Sequence, residues 1–359
     1  MRTRVGFVVE QALGHVAYGL GLRDVLSKRD DIECVFMEIP FEPGDFGRVP
    51  LVGKNWTVRG SARAERAIAA EHRRRPLDAL FLHTQTIGLF SAAHMARIPT
   101  MLSLDATPIN YDEIAEHYRD KVHAPAIETA KKWIHRMAMS QARSFTTWSE
   151  WTKRSLVDDY GARASDVTVI HPGSIMRDFP ERSADPNKRL RALFVGGDFE
   201  RKGGPLLLDV YRSRLKDRWE LDLVTGADLP PEPGVHVYRG LKPHTKELLA
   251  RYAEADAFVL PTQADCLAVV LGEAMAARLP IVTTRVGAHG EAVEDGQSGF
   301  LLAPRDGQAL GDRLEQLGAD AELRLRMGKR ARAIGEERFD MHKNANRIAD
   351  LLIKLSGVA

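Results

Sequence analysis

The sequence predicts an α/β protein made of two doubly wound parallel sheets, and three observations carry that prediction. Short apolar runs alternate with longer amphipathic stretches along nearly all of the 359 residues. The length suits two domains of about 150 to 200 residues each. One stretch without a usable period, His171–Lys188, divides the alternation into two similar halves. Strand–helix alternation of this kind needs a parallel sheet covered by helices on both faces.

In the first half the expected strands are Arg4–Val9, Ile32–Ile39, Asp78–His83, Thr100–Leu104, Ser144–Trp148 and Val167–Ile170. Helical periodicity fills the gaps at His15–Lys28, Ser61–Arg75, Ala124–Ala142 and Glu150–Tyr160. The second half repeats the scheme with strands at Arg191–Val195, Glu220–Thr225, Val235–Tyr238, Asp256–Leu260 and Ile281–Thr284. Its helices are expected from Pro205, from Pro243, around Leu267, and from Gln308, Glu322 and His342. His171–Lys188, reading HPGSIMRDFPERSADPNK, holds three prolines and reads as a linker. The expected organisation is therefore a Rossmann-like domain over 1–172, a second over 188–340, and a closing helix over 341–359. Ligands of such sheets bind beyond the carboxyl ends of the strands, so the expected site is a cleft between the halves. Phe41–Gly60, irregular and rich in glycine and proline, is expected as a loop bordering that cleft.

Composition narrows the function. Hydrophobic residues make up 44% and charged residues 28%, which excludes extended disorder. Lysine and arginine number 51 against 49 acidic residues, so a net charge of +2 offers no general attraction to nucleic acid. Cys34 and Cys266 are the only cysteines, too few for a disulfide framework or a Cys-based zinc motif, which points to a reduced, cytoplasmic setting. No apolar run reaches the length of a membrane span. The start, MRTRVGFVVEQALGH, resembles a signal peptide for nine residues, until Glu10, Gln11 and His15 interrupt it; it reads as a first core strand.

Four groups of residues carry candidate chemistry. In RALFVGGDFERKGG a strand ends at Val195, Gly196 and Gly197 allow close backbone approach, and Arg201 and Lys202 supply positive charge before Pro205 opens a helix. That arrangement suits a diphosphate, although a glycine-rich turn with solvated basic residues gives the same pattern. In DCLAVVLGEAMA, Asp265 stands at the mouth of a helix and Glu273 about two turns further in. Eight residues of helix place them roughly 12 Å apart. That exceeds the separation of about 5 to 9.5 Å of glycosidase carboxylate pairs but fits one extended ligand held at two places. Asp265 also reads as an ordinary helix cap. Gly14, with Gly19 and Gly21, follows the first strand without the G-x-G-x-x-G spacing of a nicotinamide or flavin site. Thr283–Gly290, TTRVGAHG, ends a strand in a glycine-flanked loop on the side of Asp265. From the first half, His83 and Asp105 reach the same strand ends; for His83 the preferred reading is a hydrogen-bonded structural histidine, and Asp105 reads also as a cap on the turn to Pro108.

Taken together, these stretches resemble the retaining, nucleotide-sugar-dependent glycosyltransferases of family 4, which have the two-Rossmann GT-B fold. The resemblance rests on TTWSEWTKRSLVDDYG, VTVIHPGS, LFVGG with RKGG, ADAFVLPT, and the long run DCLAVVLGEAMAARLPIVTTRVGAHGEAVEDGQSGFLL. It implies that the second domain binds the sugar nucleotide and the first most of the acceptor, a hydroxyl on a saccharide or lipid-linked saccharide. It places Lys202 on the diphosphate, Glu273 on the ribose, Asp265 toward the transferred sugar, and the amides of Leu267, Ala268 and Val269 near the phosphates. It places Gly14 by the diphosphate, Tyr238 and Arg239 near the base, and the closing helix back on the first domain. It calls for no cofactor and no metal.

Three positions depart from the family pattern. Asp265 replaces a glutamate, Gly197 replaces an arginine whose charge Arg201 would supply, and Asp105 replaces a histidine after the fourth strand. Rival readings are a sugar-nucleotide 2-epimerase, which needs no acceptor, and a non-catalytic sugar-nucleotide binder. Lys131–Arg143, KKWIHRMAMSQAR, reads either as peripheral contact with the inner face of an anionic membrane or, preferred here, as a plain helix packing Trp133 and Met137 into the core.

Overall fold

The named strands all run parallel to their neighbours, in two sheets of six. The computed structural model describes residues 2–12, 14–42, 55–114, 125–177, 179 and 189–358, with the backbone alone at 125–128, 130 and 131. The first sheet has the order β2-β1-β3-β4-β5-β6, from β1 (Thr3–Gln11), β2 (Ile32–Pro40), β3 (Ala79–His83), β4 (Thr100–Leu104), β5 (Ser144–Thr147) and β6 (Val167–Val169). The second has the order β12-β11-β10-β7-β8-β9, from β7 (Leu190–Val195), β8 (Trp219–Val224), β9 (Val235–Tyr238), β10 (Ala257–Leu260), β11 (Ile281–Thr284) and β12 (Gly299–Leu302). Within each sheet helices connect successive strands, except between β8 and β9, where no helix is assigned.

The central strands read as largely apolar runs because both of their faces are covered. β3 and β4 are buried at every residue, and β1 at all but its last. Chain contacts divide the molecule into two units: residues up to 113, from 121 to 172 and from 341 onward form one, and residues 173–340 lie in the other. The helix Met341–Ser356 thus belongs to the first unit, where Arg29 holds it through Asp350 at 2.8 Å and Asn346 at 3.2 Å. Among the described residues no helix is long and apolar enough to cross a membrane.

The sheet orders decide where a ligand can bind. In the first sheet the connections reverse direction between β1 and β3, and in the second between β7 and β10. At such a reversal the loops leaving two adjacent strands turn away to opposite faces, and a crevice opens at their carboxyl ends.

Several expectations change. The second half holds a sixth strand, β12, where Gly299-Phe-Leu-Leu is too short for its apolar run to stand out from a loop. Between Phe41 and Gly60, residues 43–54 lie outside the described set, but from Trp56 the chain is already helical. Asn55 caps that helix, its side chain accepting the Val58 N–H at 3.2 Å, so Gly60 is a helical residue. Within the expected linker, residues 178, 180 and 181–188 lie outside the described set.

Candidate functional site

The second unit builds its site at the β7/β10 reversal. β7 ends at Val195, and Gly196–Gly203 lead into the helix Gly204–Val210, with Pro205 in its first turn as expected. Gly203 has a φ of +80°, and a Cβ there would lie 2.0 Å from the Pro261 carbonyl oxygen, so only glycine lets this turn press against the end of β10. Pressed together, the two loops bring the Lys202 ammonium into a hydrogen-bonded ion pair with Asp265. Arg201 is buried beside it: its Nε lies 3.3 Å from Asp198, and its Nη1 donates to the Ala264 carbonyl at 2.6 Å and lies 4.0 Å from Asp265. Arg201 therefore ties the Asp265 loop to the Lys202 turn. Burial by itself would raise the Asp265 pKa, but Lys202, His289 and Arg201 together hold it below the usual carboxylate value.

The glycine loop after β11 closes the other side. A Cβ on Gly287, whose φ is +47°, would meet the Asp265 and Cys266 carbonyl oxygens at 2.3 and 2.5 Å, and the Ala288 N–H donates to Cys266 at 2.8 Å. His289, which the sequence reading did not single out, is fully buried behind this loop. The Thr283 hydroxyl donates to Leu260, so the imidazole Nδ1–H donates to that hydroxyl at 3.0 Å, and Nε2 accepts the Ala268 N–H at 3.4 Å. These partners need the neutral ring, and burial lowers its pKa to about 4.

The expected helix start at Leu267 shifts to Val269, with Ala268 as N-cap and no side-chain cap. Asp265 is therefore not the cap. Glu273 is the fifth residue of the Val269–Ala276 helix, one turn in rather than two, so the helical rise behind the roughly 12 Å separation applies only from Val269 onward. The Ala268 N–H is engaged by His289, leaving Leu267 and Val269 as the neighbouring amides. Glu273 accepts from the Tyr252 hydroxyl at 2.6 Å and lines a cavity of about 20 Å³, room for one water, with Ser174 and His244. Burial raises its pKa despite the Tyr252 hydrogen bond.

Around the remaining expected residues the picture is mixed. Gly196 packs on Lys202 and Phe194, whereas a Cβ on Gly197 would meet nothing within 4 Å. Tyr238, at the end of β9, has its ring under Arg251 at 4.8 Å and its hydroxyl accepting from Arg251 at 2.8 Å. Arg239 turns outward to Asp228 at 2.7 Å. Among the described residues no group of three or more His, Cys, Asp or Glu side chains is placed to hold a metal ion.

The first unit gathers its own polar cluster at the β1/β3 reversal. Glu10 near the end of β1, His83 at the end of β3 and Asp105 just past β4 are all buried, and His15 stands among them at the start of the helix His15–Leu26, directly after its N-cap Gly14. His15 Nδ1 bonds Glu10, and Nε2 lies 3.3 Å from Asp105. Two carboxylate partners require a proton on each ring nitrogen. Burial works against that charge, but Glu10 and Asp105 outweigh it and raise the His15 pKa to about 10. Asp105 is held low in turn, against its own burial, by His15 and His83. His83 stays neutral, pushed well down by burial and by the His15 charge; its Nδ1 lies 3.1 Å from the Ser103 hydroxyl and its ring stacks on Trp148 at 5.0 Å. Gly19 and Gly21 lie inside the helix and pack against Val9 and Met341. The sequence pointed to Gly14 but missed His15 beside it, because Asp105 is 90 positions away.

Each unit is thus a doubly wound α/β domain with a polar centre at its topological reversal, the class of architecture that binds nucleotides. Two family models match consecutive parts of the chain: "Glycosyltransferase Family 4" over residues 26–174 and "Glycosyl transferases group 1" over residues 189–320. The chain belongs to the family-4 glycosyltransferases and has their GT-B fold. A D-inositol 3-phosphate glycosyltransferase of Corynebacterium urealyticum is 29% identical over 203 residues, 48% of this chain and 48% of that protein. The chain thus spans about half the length of that relative. Sucrose-phosphate synthase from Thermosynechococcus elongatus shares the fold with a TM-score of 0.77 at 16% identity, covering 100% of both chains. Anabaena Alr3699/HepE, solved in complex with UDP and glucose, gives a TM-score of 0.73 at 17% identity over 98% of this chain and 100% of that one.

Two outcomes follow for stability. Gly203→Ala forces a contact that neither backbone can relieve, and should lower the thermal midpoint by several degrees, read by differential scanning calorimetry. The raised pKa of His15 adds stability that is complete below about pH 6.5, its unfolded value, and is lost as pH rises toward about 10. Urea titrations should show the wild type losing stability across that window more steeply than His15→Gln, which lacks the titrating proton.

Proposed function

We propose that the protein transfers a sugar from a nucleoside-diphosphate sugar to an acceptor hydroxyl with retention of anomeric configuration, in bacterial-type polysaccharide, glycolipid or glycoconjugate synthesis in the cytoplasm. The observation that carries the reading is the buried Lys202–Asp265 pair at the β7/β10 reversal, beside Gly196 and Gly197. Lys202 and the amides at the start of the Val269–Ala276 helix meet the diphosphate, and Glu273, one turn along that helix, meets the ribose. As the bond from the anomeric carbon to the phosphate oxygen breaks, negative charge grows on the departing nucleoside diphosphate and positive charge on the sugar. Lys202 stabilises the first, and Asp265, facing the sugar, the second. The acceptor oxygen bonds to the anomeric carbon from the face the diphosphate leaves, and its proton passes to the departing phosphate. Cationic side chains and backbone amides carry the charge, so the reading calls on no metal or other cofactor.

The family resemblance supports a hydroxyl acceptor, borne by a saccharide or lipid-linked saccharide, bound by the first unit. There the Glu10–His15–Asp105 cluster fixes the turn that carries Gly14. Asp105, fully engaged by His15, acts as a positioning residue in this scheme.

Removing one preorganised cation from such a site costs about 3 kcal/mol of barrier, on the order of a hundredfold in kcat. Lys202→Met should show that loss in an assay following nucleoside diphosphate release with EDTA present, while the wild type is unaffected by EDTA. Donor incubated without acceptor should keep its sugar unchanged; conversion to a new epimer would replace transfer with isomerisation. Gly197→Arg places a cation in open space beside the diphosphate site, and calorimetric titration should show nucleoside diphosphate binding up to about tenfold tighter.

A further inference from the structure

The helix Pro125–Met139 turns its largest apolar side chains outward. Trp133 is 62% exposed, Ile134 47% and Met137 49%, spaced i, i+1 and i+4 so that they share one face. Ala138 and Met139 face the interior instead. The core packing of Trp133 and Met137 preferred from the sequence is therefore wrong: the period is helical, but the stripe it marks points to solvent. Only seven large apolar side chains are exposed among the described residues, and three of them sit within five positions of this helix. A fourth, Phe90, is 50% exposed on the turn Leu89–Ser91, which packs against it.

Charge says what the face meets. From Lys131 to Arg143 the sequence carries Lys131, Lys132, Arg136 and Arg143 and no acidic residue, in a chain whose net charge is only +2. Arg136 and Arg143 are exposed, and the Lys132 ammonium is 4.0 Å from Asp159, a loose contact at a half-exposed position. An interfacial helix of a peripheral membrane protein combines a tryptophan-bearing apolar face with flanking cations. An apolar stripe meant for another protein chain would not need a border of one sign.

We propose that this helix docks the protein on an anionic lipid bilayer, with Trp133, Ile134 and Met137 entering the headgroup boundary and Lys132, Arg136 and Arg143 meeting lipid phosphates. The proposal does not depend on the glycosyl-transfer reading, since it concerns a surface of the first unit and needs no donor or acceptor. Such binding combines a term from apolar area with a salt-sensitive electrostatic term, and both must be present.

Vesicle flotation tests it with the full chain, using phosphatidylcholine vesicles with and without 30 mol% (about one lipid in three) phosphatidylglycerol. The wild type should float with the anionic vesicles at low salt at least tenfold more than with neutral ones, and raised salt should release it. Trp133→Ser with Met137→Ser, and separately Lys132→Glu with Arg136→Glu, should each cut binding about tenfold without moving the thermal midpoint or nucleoside diphosphate binding. No flotation of the wild type at low salt overturns the proposal, as does flotation that neither pair of substitutions reduces. A change in oligomeric state on Trp133→Ser with Met137→Ser, without vesicle binding by the wild type, would make the stripe a protein interface and overturn it equally.

Discussion

The Lys202–Asp265 ion pair is the constraint around which the second unit is arranged. It joins residues 63 positions apart, on loops that leave β7 and β10 where the sheet's connections reverse. Each charge is buried enough that leaving it alone would cost about 3 to 5 kcal/mol, so the loops must deliver both or neither. The local features follow from that requirement. Gly203 lets the Lys202 turn touch Pro261, Arg201 ties Ala264 across the gap, and Gly287 lets the β11 loop seat against the Asp265 carbonyl. Any of these replaced by an ordinary contact would move one charge away from the other. An anion entering here meets an ammonium that Asp265 already orients and that is partly withdrawn from water.

Two histidines show how partners rather than burial decide charge. His15 and His289 are both removed from water, yet one is held protonated and the other neutral. His15 lies between two carboxylates, whose attraction exceeds the desolvation penalty. His289 has a hydroxyl on one nitrogen and a backbone N–H on the other, and the N–H demands a lone pair. A proton at Nε2 would break that bond and add a cation close to Lys202. The neutral ring instead fixes the Ala268 amide, and with it the segment leading from Asp265 into the Glu273 helix.

Much of this was legible in the sequence, and the remainder has identifiable causes. Strands buried on both faces announce themselves as apolar runs, so Thr100–Leu104 and Ile281–Thr284 match the expected bounds. Gly203 and Lys202 were visible because glycine and cation requirements are local. The start of the Val269–Ala276 helix was not, because CLAV is as apolar as the helix that follows and carries no cap residue. His15 and His289 were missed for the opposite reason: their partners lie far away or on the backbone, where a linear pattern leaves no trace. Trp133 was misjudged because periodicity locates an apolar face without saying what covers it.

The departure at Asp105 becomes intelligible once His15 is in view. The family pattern puts a histidine after the fourth strand, and this chain puts a carboxylate there. Asp105 is 5% exposed, so an unpaired charge would be expensive and would titrate upward until neutral. His15 prevents that by supplying a proton-bearing ring from the first turn after β1, so an imidazole still sits at the same strand ends, reached from a different element. The consequence is a coupling between positions 15 and 105. Removing His15 leaves two buried carboxylates without their cation, whereas removing Asp105 leaves His15 paired with Glu10 alone; the cost of one substitution depends on whether the other is present, so the two cannot be additive. The turn bearing Gly14 is thereby held from two sides, by Glu10 on β1 and by Asp105 past β4.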